Sequence, residues 1–260
     1  MDLSLLRSHD YPFLIQRWRK VARAAQLSIR PFAEAGGHSL YFLTGRERSP
    51  EGGIYLSAGI HGDESAGTEG LLRWAEENTE LLQRLPCFIV PCLNPWGLIN
   101  NNRFDSRGRD LNRNFHSDEV GEIRALKALI KPYSFALAVT LHEDYDAHGF
   151  YLYELKGTLP HWGEDLLDLA RPHIPIDSRS SIDGRRTSKP GLVRRVLNVN
   201  QFPQAPEAVY LHQHHSKRTL TLETPSELGI EIRVSTLRLL IGTAVQWTLD
   251  QAPQLVAAQE

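Results

Sequence analysis

Cysteine is almost missing from this chain: there are two, Cys87 and Cys92, among 260 residues. They stand five apart in a run that reads as a strand, which turns them to opposite faces. That spacing argues against a disulfide between them and against a Cys-x-x-Cys metal site. Two buried thiols is the reading. Charge of one sign is missing too, since 29 basic residues stand against 31 acidic ones for a formal net charge of -2. Proteins that bind nucleic acid or membrane surfaces usually carry a strong basic bias, so neither partner is expected. Attraction for an anionic substrate has to come from individually placed arginines. No apolar run is long enough to span a bilayer. The opening MDLSLLRSHDYPF has neither an apolar signal core nor a cleavage pattern. A cytoplasmic location is the expectation. Internal repeats and low-complexity tracts are absent as well, and oligomeric state is not legible.

With 41% hydrophobic and 23% charged residues, the chain can bury an ample core without staples. One domain over residues 1–260 is expected, with a helix and a hairpin in the first 50 residues packed on it. Leu14, Trp18, Val21 and Ala25 recur at helical spacing and predict a helix over 12–27. Gly36-Gly37 centres a hairpin near 28–44. Apolar runs at 54–60, 87–93 and 135–141 read as buried strands, and 219–222 as another. Helical patterns follow at 65–78, at 117–131 with Ser117 as its cap, at 163–171 and at 229–249. Strands alternating with helices predict an α/β fold with helices on both faces of the sheet. Ligands of such sheets gather beyond the carboxyl ends of the strands. Residues 94–116 are polar and aperiodic, a loop long enough to suggest function. The stretch 174–207 reads as irregular.

Three strand-like runs end on a potential ligand or base: His61 with Glu64, then His142, then Glu223. Gly62 permits a tight turn between the first two. Catalytic zinc takes three protein ligands, nitrogen or oxygen, plus water, and His61, Glu64 and His142 can supply such a set. Each residue alone also has a plainer role. Glu64 can sit at a helix start and favour the helix dipole, and Glu223 can be a surface carboxylate.

The segment Asn94-Pro95-Trp96-Gly97, then Arg103, then Asp110-Leu111-Asn112-Arg113-Asn114-Phe115 adds specificity. With His61-x-x-Glu64, His142 and Glu223, it resembles the M14 zinc metallocarboxypeptidases in motif and order, over residues 54–224. The likeness is to compact bacterial members and to the related succinylglutamate desuccinylase/aspartoacylase branch. It implies a three-layer α/β/α sandwich with a mixed, mainly parallel sheet. It implies one zinc ion on His61, Glu64 and His142, with Glu223 as general base. Asn112 and Arg113 then grip the substrate's terminal carboxylate, Arg103 polarises the scissile carbonyl, and Asp110 orients His61. Tyr210 is matched to a mobile tyrosine over the substrate, in competition with Tyr145, Tyr151 and Tyr153. The physical chemistry of these side chains agrees with the roles. A zinc-bound water has a lowered pKa, and a planar guanidinium suits a carboxylate bidentately.

The activity implied is hydrolysis of a C-terminal peptide bond. A deacylase of N-acyl amino acids is the alternative within the same resemblance, and a silent peptide-binding domain is the alternative from another class. The partner is thus a peptide or an N-acyl amino acid with a free carboxylate. One departure is Trp96, which stands where the family has Asp and is expected to alter a pocket wall. Arg107 and Arg109 read as solvated loop charges, and Glu143 and Asp144 as acids crowding His142. His212, His214 and His215 read as a polar helix end rather than a metal cluster. Arg179, Arg185, Arg186, Arg194 and Arg195 read as a solvated face.

Overall fold

Eight strands join in one mixed sheet, ordered β1-β2-β4-β3-β5-β10-β6-β9. In the computed structural model, which describes residues 6–45, 52–194 and 204–255, these are β1 (Ser28–Ala35), β2 (His38–Thr44), β3 (Gly53–Ser57), β4 (Cys87–Val90), β5 (Phe135–Asp144), β6 (Tyr151–Lys156), β9 (Leu192–Arg194) and β10 (Arg218–Pro225). β7 (Ser181–Ile182) and β8 (Arg185–Arg186) form a separate small hairpin. The central strands β4, β3, β5 and β10 run parallel. β2 and β6 flank them antiparallel.

The helices are α1 (Tyr11–Ala24), α2 (Ser65–Glu77), α3 (Thr79–Arg84), α4 (Pro95–Asn100), α5 (Gly121–Ile130), α6 (Gly163–Ala170), α7 (Glu207–His214) and α8 (Ile230–Gln251). The pleat sorts the sheet's side chains into two cores. Ile54, Leu56, Cys87, Ile89, Leu137, Val139 and Leu141 point to the side of α1, α2, α6 and α8. Tyr55, Phe88, Val90 and Ala138 point to the side of α5 and α7. Helices on both faces make the expected three-layer arrangement.

Local signals explain the main boundaries. Asp10 caps α1, its carboxylate accepting from Phe13 N at 2.9 Å. α1 ends as Gln26 turns to a positive φ of 54°. The apolar stripe of α8 buries Val234, Leu237 and Ile241. Leu237 lies against Gly70 of α2, where an added Cβ would come within 3.0 Å.

The β1–β2 hairpin joins the sheet edge through β2–β4 pairing. Several sequence expectations are revised. β4 stops at Val90, before Pro91, so strand parity no longer governs Cys92, and both cysteines are buried in the same core. Burial pushes both thiols up to about 12, which keeps them inert. Ser117 does not cap α5, which starts at Gly121 after Val120. Residues 94–116 hold α4 and a short 3-10 turn, Leu111–Arg113. The irregular stretch contains β7, β8, β9 and the start of α7, while Arg195 lies outside the described residues. No described helix is long and apolar enough to cross a membrane.

Candidate active site

The turn between β3 and α2 carries His61 and Glu64, and its shape depends on contact with α4. A Cβ on Gly62 would lie 1.9 Å from the carbonyl carbon of Gly97, so only glycine fits there. Gly97 is pinned in turn. Its N–H donates to Asn94 Oδ1 at 2.9 Å, and Asn94 Nδ2 donates to Phe104 O at 3.1 Å. The Asn-Pro-x-Gly segment therefore works as a backing plate for the His61 turn. Trp96, expected at a pocket wall, packs instead over Gly36 of the β1–β2 turn, with 2.6 Å between its Cβ and a Cβ placed there.

His142 and Glu223 come from neighbouring parallel strands and stand directly opposite each other in register. Tyr151 faces Glu223 from β6 on the other side. Residues His61, Glu64 and His142 are 2%, 3% and 4% exposed. Their ligand atoms lie within 4.8 Å of one another, and they are the only such His/Cys/Asp/Glu group among the described residues. Glu64 bridges the imidazoles, with Oε1 2.5 Å from His61 Nδ1 and Oε2 2.8 Å from His142 Nδ1. Asp110 Oδ1 lies 3.1 Å from His61 Nε2, leaving Nδ1 turned to the shared centre.

The electrostatics favour a cation there. Burial works against the charged His61 imidazole, yet Glu64 and the Asp110 hydrogen bond raise it to about 9. Burial likewise opposes a charged His142, and Glu64 and Glu223 outweigh it and raise that imidazole too. Burial also opposes the Glu64 carboxylate, which the two imidazoles nonetheless hold well below its usual range. Two nitrogens and one carboxylate, buried and convergent, fit a divalent ion of the zinc type. Burial, with further push from Glu64, Asp144 and Asp183, raises Glu223 to about 8, against the pull of His142.

A cavity of about 850 Å³ opens over this centre. Arg103, Asn112, Arg113 and Glu223 line it together with the three candidate ligands. Arg103 donates to Asp110 Oδ2 at 3.1 Å and to Glu64 Oε1 at 3.4 Å. Asp110 also shapes the Leu111–Arg113 turn, accepting from Asn112 N at 3.0 Å while its own carbonyl accepts from Asn114 Nδ2 at 2.6 Å. Arg113 is exposed toward the cavity.

Tyr210 is not brought to the cavity. Its ring packs 5.7 Å from Phe115 and 4.8 Å from His214, on the α5 side. Tyr145, Tyr151 and Tyr153 line the cavity instead. Arg109 is occupied by Asp105 and Glu122, and Arg107 is exposed. Glu143 is buried, accepts from Ala66 N at 2.6 Å and pairs with Arg233 of α8. It thereby ties the start of α2 to β5. Asp144 accepts from Tyr151 and Arg179, each at 2.9 Å. His212, His214 and His215 sit at the end of α7, where His215 Nδ1 lies 3.0 Å from Tyr133 O. Asn114 belongs to the motif quoted from the sequence. Asp183 and Glu207 lie in the stretch read as irregular, which gives no periodic signal.

The sequence model of the succinylglutamate desuccinylase/aspartoacylase catalytic domain matches residues 50–148. None of the curated proteins matches the chain. Among solved structures, a candidate metallopeptidase from Shewanella amazonensis SB2B superposes with a TM-score of 0.82 at 23% identity, over 93% of this chain and 94% of that one. A metallo-carboxypeptidase from Burkholderia cenocepacia gives 0.68 at 18% identity, over 93% and 69%. The murein-tripeptide amidase of Escherichia coli O157 gives 0.56 at 18% identity, over 85% and 92%. At these identities the structural likeness speaks for the fold. The chain thus shares the fold of these metallopeptidase and carboxypeptidase structures, and its residues 50–148 match the succinylglutamate desuccinylase/aspartoacylase catalytic domain.

Proposed function

We propose that the protein is a zinc-dependent hydrolase that cleaves an amide bond next to a free carboxylate, releasing the C-terminal residue of a peptide. The observation that carries this reading is convergence on one cavity. His61, Glu64, His142, Glu223, Arg103, Asn112 and Arg113 come from separate stretches and all line it. One zinc ion on His61, Glu64 and His142 would supply a Lewis acid and a water of lowered pKa.

The remaining roles belong to the chain's own side chains. Glu223 stands one strand away from His142 and takes the proton of the attacking water, then returns it to the leaving nitrogen. Arg103 meets the negative charge that develops on the carbonyl oxygen. Arg113 offers two parallel donors to the substrate carboxylate, and Asn112 adds its amide. Asp110 fixes the His61 tautomer and Arg103 together.

The cavity volume of about 850 Å³ lies high in the range of about 300–1,000 Å³ usual for small-ligand sites. That room favours a peptide. The match of residues 50–148 to the desuccinylase/aspartoacylase domain favours a second reading, deacylation of an N-acyl amino acid. The test is a panel of dipeptides and N-acyl amino acids offered to the zinc-loaded protein. Turnover of dipeptides supports the first reading, and turnover of N-acyl amino acids alone overturns it. Zinc bound with no turnover of any amide would instead return the silent peptide-binding domain.

A further inference from the structure

Glu207 is a carboxyl that the chemistry above leaves unused, yet it is only 1% exposed. It opens α7, directly after Pro206, and Pro206, Ala208 and Val209 line the cavity. Its carboxylate accepts from the Tyr55 hydroxyl at 2.6 Å. Tyr55 lies in β3, fully buried, with ring centroids 5.7 Å from Phe88 and 5.2 Å from Phe135. The tyrosine is therefore a rigid post. Burying a carboxyl costs stability unless it is well paired, so an apolar residue would be the cheaper way to start this helix.

What the pairing does is visible one bond further on. The backbone N–H of Glu207 donates to Asn112 Oδ1 at 2.9 Å, across 95 positions of sequence. An N–H can be received only by the oxygen end of an amide. The Nδ2 end of Asn112 is then the end left for the cavity that this residue lines. An amino group is what a carboxylate needs to meet, and an amide oxygen there would repel it.

We propose that Tyr55 and Glu207 are positioning residues: they hold the first turn of α7 so that its N–H fixes the Asn112 amide with its donor facing the substrate carboxylate. The proposal rests on the reading of Asn112 as a carboxylate contact. It extends that reading from the contact itself to what sets its polarity.

The test compares zinc-loaded wild type with Asn112→Ala, Tyr55→Phe, Glu207→Gln, Glu207→Ala and Glu207→Pro. The probes are an N-benzoyl dipeptide and its C-terminal carboxamide, and crystal structures of the variants give a readout independent of turnover. Proline is tolerated at a first helical position, so Glu207→Pro removes the N–H with little cost to the helix. Glu207→Gln can still accept from Tyr55 and should keep KM within about twofold of wild type. Tyr55→Phe, Glu207→Ala and Glu207→Pro should raise KM for the free acid about tenfold with kcat nearly unchanged, the loss expected for one charge-assisted hydrogen bond. The carboxamide should be hardly affected, and the Asn112 side chain should have turned in the crystals. Equal losses on acid and amide would mark a structural role only and overturn the proposal. If Asn112→Ala raises KM while the Tyr55 and Glu207 variants leave both KM and the Asn112 rotamer unchanged, the positioning role fails and the carboxylate reading survives. If Asn112→Ala itself leaves KM unchanged, the carboxylate reading falls and this proposal falls with it.

Discussion

Burial sets the proton affinity of Glu223, with His142 pulling it down and the acids around it pushing it up. Replacing it with glutamine keeps shape and removes the basic oxygen. Glu223→Gln should bind zinc as wild type does and lose about 10²–10⁴ in kcat, measured by metal content and steady-state rates on the same preparation. Glu207 makes a different prediction, about stability. Burial raises its pKa, against the Tyr55 and Ser57 hydroxyls that favour the ionised form. A raised folded-state value means the native state binds the proton more tightly than the unfolded chain. Stability is thus complete below the unfolded value, about 4.3 for a glutamate, and declines as pH rises through the folded value. Glu207→Gln lacks that titration. Its Tm should gain on wild type as pH rises from about 4 upward, and parallel Tm curves would contradict the assignment. At this scale the motif's residues stand together in space, Asn112 and Arg113 at the cavity and Asp110 against His61. Sequence alone does not place Tyr210, because a tyrosine shortly before Glu223 can point to either side of its helix. Here it points to Phe115.

α4 lies against the β3–α2 turn at backbone distance, so the turn has no room for a side chain at Gly62. Gly62→Ala forces the two backbones apart. Overpacking of this kind costs about 1–3 kcal/mol, or on the order of 2–10 °C in Tm for a chain of this size. It should also weaken zinc binding, and a variant with native Tm and native zinc affinity would refute the backing-plate role of α4. The long helices α1, α2 and α8 and the buried strands are legible from apolar spacing. α4 is not, since Asn-Pro-x-Gly reads as a turn, and its six residues are too few to show a helical period. β9 and the β7–β8 hairpin were hidden for the same reason, being two or three residues long.

Across the whole molecule, ion binding and folding should be coupled. His61 and Glu64 belong to the β3–α2 turn and His142 to β5, so an ion held by all three ties the turn to the sheet. Ligand present at 1,000 times its Kd stabilises the native state by about 4 kcal/mol. A chelator should therefore lower Tm by on the order of 10 °C, and zinc should restore it. An unchanged calorimetric scan would argue against a resident ion. The layered α/β arrangement followed from strand-helix alternation in the sequence, but the sheet order did not, because it depends on which non-local strands pair. That order has a lasting effect. His142 and Glu223 sit opposite each other on adjacent parallel strands, so the sheet's repeat of about 4.8 Å, not a flexible side chain, fixes how far apart they stand. Slipping either strand by one residue would swing its half of the pair to the opposite face. Loss of this juxtaposition through a strand slip should therefore be abrupt rather than gradual.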